Sequence, residues 1–159
     1  MQWIALLLWL VVCFAVAGIG GWWTAGELTG WYRSLERPAI TPPNWVFGPV
    51  WTLLYALMAI AAWQVWLTAP SPVRSRALVL FLVQLGLNLV WAWTFFHEHE
   101  IRVALANVAV LWIAVGLTTL VFGRIAPVAA WLMAPYWAWV TFATLLNAGF
   151  CLLNKRSGV

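Results

Sequence analysis

His97-Glu98-His99-Glu100 is the one dense run of ionisable side chains in this chain. Alternating imidazoles and carboxylates are donors from which metal sites and proton relays are built. A metal site needs several converging ligands, and this run sits on a short loop with no further donor nearby in sequence. A solvated connector is the better reading, and no metal ligand is assigned. No Ser–His–acid set and no nucleotide-binding loop accompanies it. Cys13 and Cys151 read as small core residues at different depths, with neither disulfide nor metal spacing.

A different chemistry is carried by aromatic and amide side chains. There are 15 tryptophans. An aromatic belt at the membrane interface accounts for Trp22, Trp23, Trp31 and Trp45 at one surface and for Trp63 and Trp66 at the other, with Trp91 and Trp93 near an interface. It does not account for Trp51, Trp112, Trp137 and Trp139, which fall well inside apolar stretches. A buried indole N–H wants an acceptor. Polar company occurs at helical spacing: Gln84, Asn88 and Trp91 share one face; Tyr136, Trp139, Ala143 and Asn147 share another; Trp51 and Tyr55 share a third. An amide at depth is often interhelical glue. Three faces that each combine aromatic and polar groups point further, to a pocket for a flat, mostly apolar ligand with a few polar edges.

The elements that must position these residues are membrane helices. The chain has 159 residues, of which 65% are hydrophobic and 8% charged, with mean hydropathy +0.93. Soluble domains carry roughly 25% charged residues, so an ordinary water-soluble globule is excluded. Five apolar stretches, at about 2–24, 44–67, 77–96, 103–122 and 128–153, are each long enough to cross a bilayer. The expectation is an all-α membrane protein, a five-transmembrane-helix bundle forming one domain over 1–159, with a lid loop at 27–43. Ala15-Val16-Ala17 resembles a signal-peptidase site, but no Lys or Arg precedes the apolar run, so the first helix is expected to be retained. Tight turns at Pro70-Ser71-Pro72 and Gly123 make an up-down bundle. Ala17, Gly21 and Ala25 recur every four positions and read as a surface for close helix approach within the protomer.

The net charge of +4 is dispersed over loops without a patch, which argues against a nucleic-acid partner. Arg74, Arg76 and Arg124 fall on one side of the membrane; Arg33, Arg37, Arg102, Lys155 and Arg156 fall on the other. The positive-inside rule then favours a cytoplasmic C-terminus. No span holds an ionisable residue well inside it, which argues against ion-coupled transport and leaves no histidine at depth to ligate haem iron. Pro42 and Pro43 stand where a helix can begin, with Thr41 or Asn44 as candidate caps. Pro49 and Pro135 lie inside spans, and the carbonyls they free must face protein or a cavity.

Trp31-Tyr32-x-x-Leu35-x-x-Pro38, followed by Pro42-Pro43-x-Trp45-Val46-Phe47-Gly48-Pro49-Val50-Trp51-Thr52-x-x-Tyr55, resembles the hallmark of the TspO/MBR family. These are the tryptophan-rich sensory proteins of bacteria and the mitochondrial translocator protein, once called the peripheral benzodiazepine receptor. Gln84-Leu85-x-Leu87-Asn88-x-x-Trp91 and Pro135-Tyr136-x-Ala138-Trp139-x-x-Phe142-Ala143-Thr144-x-Leu146-Asn147 extend the likeness over nearly the whole chain. The resemblance implies a five-helix bacterial membrane protein in the lipid bilayer, often a homodimer, with no cofactor of its own. It implies binding of porphyrins such as protoporphyrin IX, with haem and synthetic benzodiazepine-type ligands as further candidates. The family pocket opens beneath the long first loop and would be lined here by Tyr32, Trp51, Asn88, Trp91, Trp139 and Ala143; Tyr55 and Asn147 share its faces. The prolines would then set and bend the second helix beneath a lid. The family's sterol motif has a tyrosine after the Leu-Asn of the fifth helix, and Ala148 stands there instead, which speaks against sterol recognition. Two functions follow: a porphyrin-binding sensor, scavenger or carrier, or a light-dependent protoporphyrin-degrading enzyme in which Trp51 and Trp139 are the reactive groups.

Overall fold

The computed structural model describes residues 2–154; Lys155 and Arg156, counted above towards membrane orientation, lie outside them. Among the described residues five helices are long and apolar enough to span a bilayer. They are α1 (Gln2–Glu27), α3 (Asn44–Trp66), α4 (Pro72–Ala92, continued by a π-helical turn over Trp93–His97), α5 (Ile101–Ile125) and α6 (Pro127–Leu153). A one-turn helix, α2 (Trp31–Ser34), lies in the first loop.

Local signals set most boundaries. Ser71 caps α4 by accepting from the Arg74 backbone N–H at 3.1 Å, with Pro72 in the first turn where a missing N–H is harmless. α4 therefore starts earlier than its apolar run. Arg74 does not end the helix; its guanidinium reaches back to the carbonyls of Trp66 and Thr68 at 3.2 and 2.8 Å, a snorkelling contact at the membrane surface. At α3 the cap position is Pro43 itself, with no side-chain bond to the helix end. Thr41 turns instead to the Pro38 carbonyl at 2.7 Å, and Asn44 is the first helical residue. Both candidate caps are thus replaced by proline stereochemistry alone.

The helices close into a ring in the order α1, α3, α6, α5, α4. Consecutive helices are antiparallel neighbours, except that α3 and α4 meet only lightly, because α1 and the core stand between them. Hydrophobic burial does not drive association inside lipid, so the ring rests on close packing and polar pairs. Ala59, Ala61 and Ala62 of α3 are fully buried. Gly116 of α5 receives the Trp137 indole so closely that an added Cβ would stand 2.8 Å from it. Threonine hydroxyls at 94, 118, 119, 141 and 144 each bond a carbonyl one turn back, which hides them from lipid. Pro49 and Pro135 both lie within continuous helices.

The stripe Ala17, Gly21 and Ala25 does only in part what its spacing suggested: Ala17 packs against the main core. A Cβ built on Gly21 meets nothing within 4 Å, and all three residues border a cavity. One position away, a Cβ on Gly20 would make an ordinary contact with the Ala92 Cβ at 3.6 Å.

Candidate functional site

Two adjoining chambers lie among the helices of the ring, and the larger is open on one side, where exposed Phe14, Gly21, Trp45 and Gly48 form its rim. The larger, about 450 Å³, is bounded by α1, α3 and α4 and includes Trp51, Tyr55, Asn88 and Trp91. The smaller holds about 30 Å³, lies beneath the first loop and includes Tyr32, Trp51, Trp91, Trp139, Ala143 and Asn147. Trp51 and Trp91 belong to both walls. All eight residues read from the sequence as ligand contacts therefore meet at one place, divided between two compartments. The larger has the volume of an ordinary ligand pocket, and the smaller has room for a water molecule or two.

Hydrogen bonding explains how the polar residues tolerate this depth. Tyr55 donates its hydroxyl to Asn88 Oδ1 at 3.3 Å, and Asn88 Nδ2 donates to the Tyr136 hydroxyl at 2.7 Å. One amide thus joins α3, α4 and α6. Trp91 Nε1 donates to Asn147 Oδ1 at 3.1 Å, and Asn147 Nδ2 donates to the Ile101 carbonyl at 3.0 Å. Trp91, read as lying near an interface, has its N–H committed to this second bridge. Gln84 is fully buried; its amide N–H meets Met58 Sδ at 4.0 Å while its Oε1 is unpaired. Of the deep indoles outside the chambers, Trp112 finds Thr141 Oγ1 at 2.7 Å, whereas the Trp137 N–H is buried without a partner.

Aromatic packing sets the walls. Trp51 lies edge-on to Trp139, with ring centroids 6.3 Å apart, and to Tyr136 at 6.2 Å, and it leans on Tyr55 at 5.6 Å. Phe47 borders both chambers and meets Trp139 edge-to-face at 6.1 Å. The π-helical turn buries Phe95 and Phe96 together, and these pack on Tyr32 at 6.3 and 5.7 Å. Burial raises the Tyr32 phenol above its ordinary range, opposed by the Arg37 guanidinium lying 4.9 Å over its ring.

The lid is pinned at one end. The Asn154 side chain accepts from the Glu36 N–H at 3.1 Å and donates to the Glu36 carbonyl at 3.0 Å. Pro38 sits on Gly149 of α6, where a Cβ would be 2.6 Å from its ring. The His97–Glu100 loop is only partly the solvated connector expected. His97, Glu98 and Glu100 are exposed, but the His99 ring stacks on Trp31 with centroids 4.2 Å apart. Among the described residues no three His, Cys, Asp or Glu side chains converge on a possible metal position.

Several contributors escaped the sequence. Gly20, Gly21 and Gly48 shape the larger chamber by their missing side chains, and glycine in a membrane helix signals tight packing as readily as a void. Asn44, weighed only as a cap, borders the larger chamber with a buried Oδ1 that has no partner. Its place directly after Pro42-Pro43, beneath the lid, was the available signal.

Five helices long and apolar enough to span a bilayer define an integral multi-pass membrane protein, with two aromatic-walled pockets among its helices. The chain belongs to the TspO/MBR family, whose model matches residues 9–153. It is 36% identical over 154 residues to the tryptophan-rich protein TspO of Chlorobaculum tepidum, covering 96% of this chain and 98% of that one. The tryptophan-rich sensory protein of Cereibacter sphaeroides is 37% identical, with coverage of 97% and 94%. Human translocator protein is 34% identical, with coverage of 88% and 83%. Membership makes this a membrane protein of sensory or binding type.

Proposed function

We propose that the protein binds a flat, largely apolar tetrapyrrole, protoporphyrin IX above all, inside the bilayer, as a sensor, scavenger or carrier. The observation that carries this reading is the cavity of about 450 Å³ flanked by Trp51 and Trp91, with the Tyr55 and Asn88 polar groups at its edge. Indole faces suit a planar ring, and a few placed polar groups fix its orientation. Because no histidine stands at depth, stacking rather than iron ligation holds the ring, and metal-free protoporphyrin binds at least as well as haem. The anionic propionates stay at the membrane surface, near the exposed Arg33 and near Arg37 beside Tyr32. Synthetic benzodiazepine-type ligands fit the same description, and the working unit is a homodimer.

The test is titration of purified protein with protoporphyrin IX, followed by absorbance and intrinsic fluorescence. Saturable binding weakened about tenfold by Trp51→Ala is expected, the loss of one stacking wall. Binding that does not saturate, or ignores that substitution, overturns the reading. A light-dependent degradation of the bound porphyrin is the second reading. It is favoured by the edge-to-face contact of Trp51 with Trp139 on the chamber wall, where both indoles can give electrons to an excited ring.

A further inference from the structure

We propose that His99 is a protonation-controlled latch on the lid. Charged, it clamps the lid helix α2 against the end of α1; neutral, it lets that half of the lid lift from the smaller chamber. Three independent features converge on this one side chain. Its ring lies flat on Trp31 of α2, with centroids 4.2 Å apart and planes inclined by 16°. Its Nε2 stands 3.2 Å from Glu27 Oε2, on the last residue of α1. Its backbone has φ 61°, the only positive value at a non-glycine residue among those described. Left-handed backbone at a side-chain-bearing residue persists only where its surroundings hold it.

The character of the Glu27 contact makes it sensitive to a proton. His99 Nε2 is closed off from solvent, and it makes no hydrogen bond of good geometry. The attraction therefore rests on charge rather than on a directional bond. Protonation strengthens both contacts at once, since an imidazolium pairs with the carboxylate and sits as a cation on the indole face. Histidine is the side chain that changes charge near neutrality, while carboxylates stay ionised there. The latch is thus closed in mild acid and is lost as pH rises.

The neighbouring charges leave His99 as the responsible group. On its own loop His97 pairs with Glu98 at 3.8 Å and lies beside Trp23 and Trp93, and Glu100 is exposed. From α2 the basic residue is Arg33, from α5 it is Arg102, and both are exposed. Arg37 rests over Tyr32. α1 contributes Glu27.

The mechanical consequence follows from where the lid is fixed. Glu36 and Pro38 are held to α6 by Asn154 and Gly149. Residues 28–35 are held by their packing on Phe95, Phe96 and Phe150 and by the His99 latch. This half carries Tyr32, which borders the smaller chamber, and Leu28, which borders both, so releasing it opens both chambers from above. The consequence for a ligand rests on the proposed function; the lid motion does not.

Trypsin measures the lid without any ligand. Cleavage after Arg33 needs local unfolding of α2, and the Arg37–Pro38 bond resists the enzyme. The rate at Arg33 in the full chain, in detergent, is divided by the rate after Arg74 at the opposite membrane surface, which cancels the pH dependence of the protease. Between about pH 6 and about pH 8 this ratio rises about two- to fivefold in the unsubstituted protein, the range of a partly exposed ion pair. In His99→Asn, which tolerates the left-handed backbone, it is high and flat; in Glu27→Gln it is raised, and its pH response shrinks to what the Trp31 stack retains. A flat ratio in the unsubstituted protein, or a pH response surviving in His99→Asn, overturns the latch. Glu27→Gln leaves the histidine loop untouched, so a raised ratio in both variants excludes local misfolding as the cause. The dissociation rate of protoporphyrin IX, read in parallel, follows the same ratio. A ratio that responds while dissociation does not leaves the latch standing and overturns the placement of the ligand beneath the lid.

Discussion

Asn147 uses both ends of one amide to join three segments, accepting from Trp91 and donating to the Ile101 carbonyl. Replacing it with Leu keeps the volume but strands the Trp91 indole N–H among apolar neighbours and leaves the Ile101 carbonyl with only the Cys151 thiol, at 3.5 Å, besides its own helix. A loss of about 1–2 kcal/mol is expected, the range for interhelical polar contacts in membranes; thermal unfolding in detergent measures it. Ala143 tests the smaller chamber. It stands one turn from Trp139 on that wall, and Ala143→Thr adds a methyl and a hydroxyl where space is scarce. Overpacking costs about 1–3 kcal/mol, so protoporphyrin should bind at least several-fold more weakly with unchanged helicity. Unaltered affinity would place the ligand wholly in the larger chamber. Trp139→Phe keeps an aromatic wall and most affinity while removing the readily oxidised indole. Light-driven loss of porphyrin absorbance, if the protein performs it, should then stop, and turnover at an unchanged rate would show that Trp139 is not the reactive group.

The spans were legible among the elements because apolar runs of sufficient length alternate with charges and turn formers. Their ends were less so, since Arg74 and Arg76 belong to α4 and a snorkelling arginine marks the edge of the hydrocarbon, not of the helix. The π-helical turn that buries Phe95 with Phe96 leaves no periodic trace over five residues. The amphipathic faces on α3, α4 and α6 were readable at steps of three and four, and they hold most of the site. The division into two chambers was not, because it depends on how Phe47 and Trp51 turn rather than on spacing. The part played by α1 was only partly read: Ala17 packs on the core while Gly21 faces open space, and a small-residue stripe is compatible with contact or with emptiness. That ambiguity supplies its own test. A side chain at Gly21 meets nothing within 4 Å, so Gly21→Leu should leave thermal stability intact and fill the larger chamber. Protoporphyrin affinity should fall about tenfold, as expected when a bulky group occupies a stacking site, and calorimetry of the same sample separates the two effects.

For the whole molecule, the ring order and the pinned lid fix which features share a membrane surface. Asn154 at the end of α6 touches Glu36 in the lid, so the lid, the His97–Glu100 loop and the C-terminal end of α6 lie together. If the excess of basic residues there faces the cytoplasm, as the positive-inside rule requires, a cysteine in the lid is shielded in intact cells. Ser34→Cys in a Cys151→Ser background should resist a membrane-impermeant maleimide until the cells are opened. Labelling in intact cells would reverse the orientation.

The crowding of aromatic rings also has an optical side. Trp51, Trp91 and Trp139 stand on the chamber walls, and ring contacts run from Trp139 through Trp51 to Tyr55 and Tyr136. Excitation absorbed by Tyr55 or Tyr136 passes downhill to Trp51, and indole passes it to indole, readily at such spacings. Indole emission overlaps the absorption of a porphyrin, so an occupant drains that light by resonance transfer while an apolar ligand without a chromophore leaves it bright. A chain that binds as proposed would thus report in its own fluorescence what kind of molecule it holds, without a label and in the membrane.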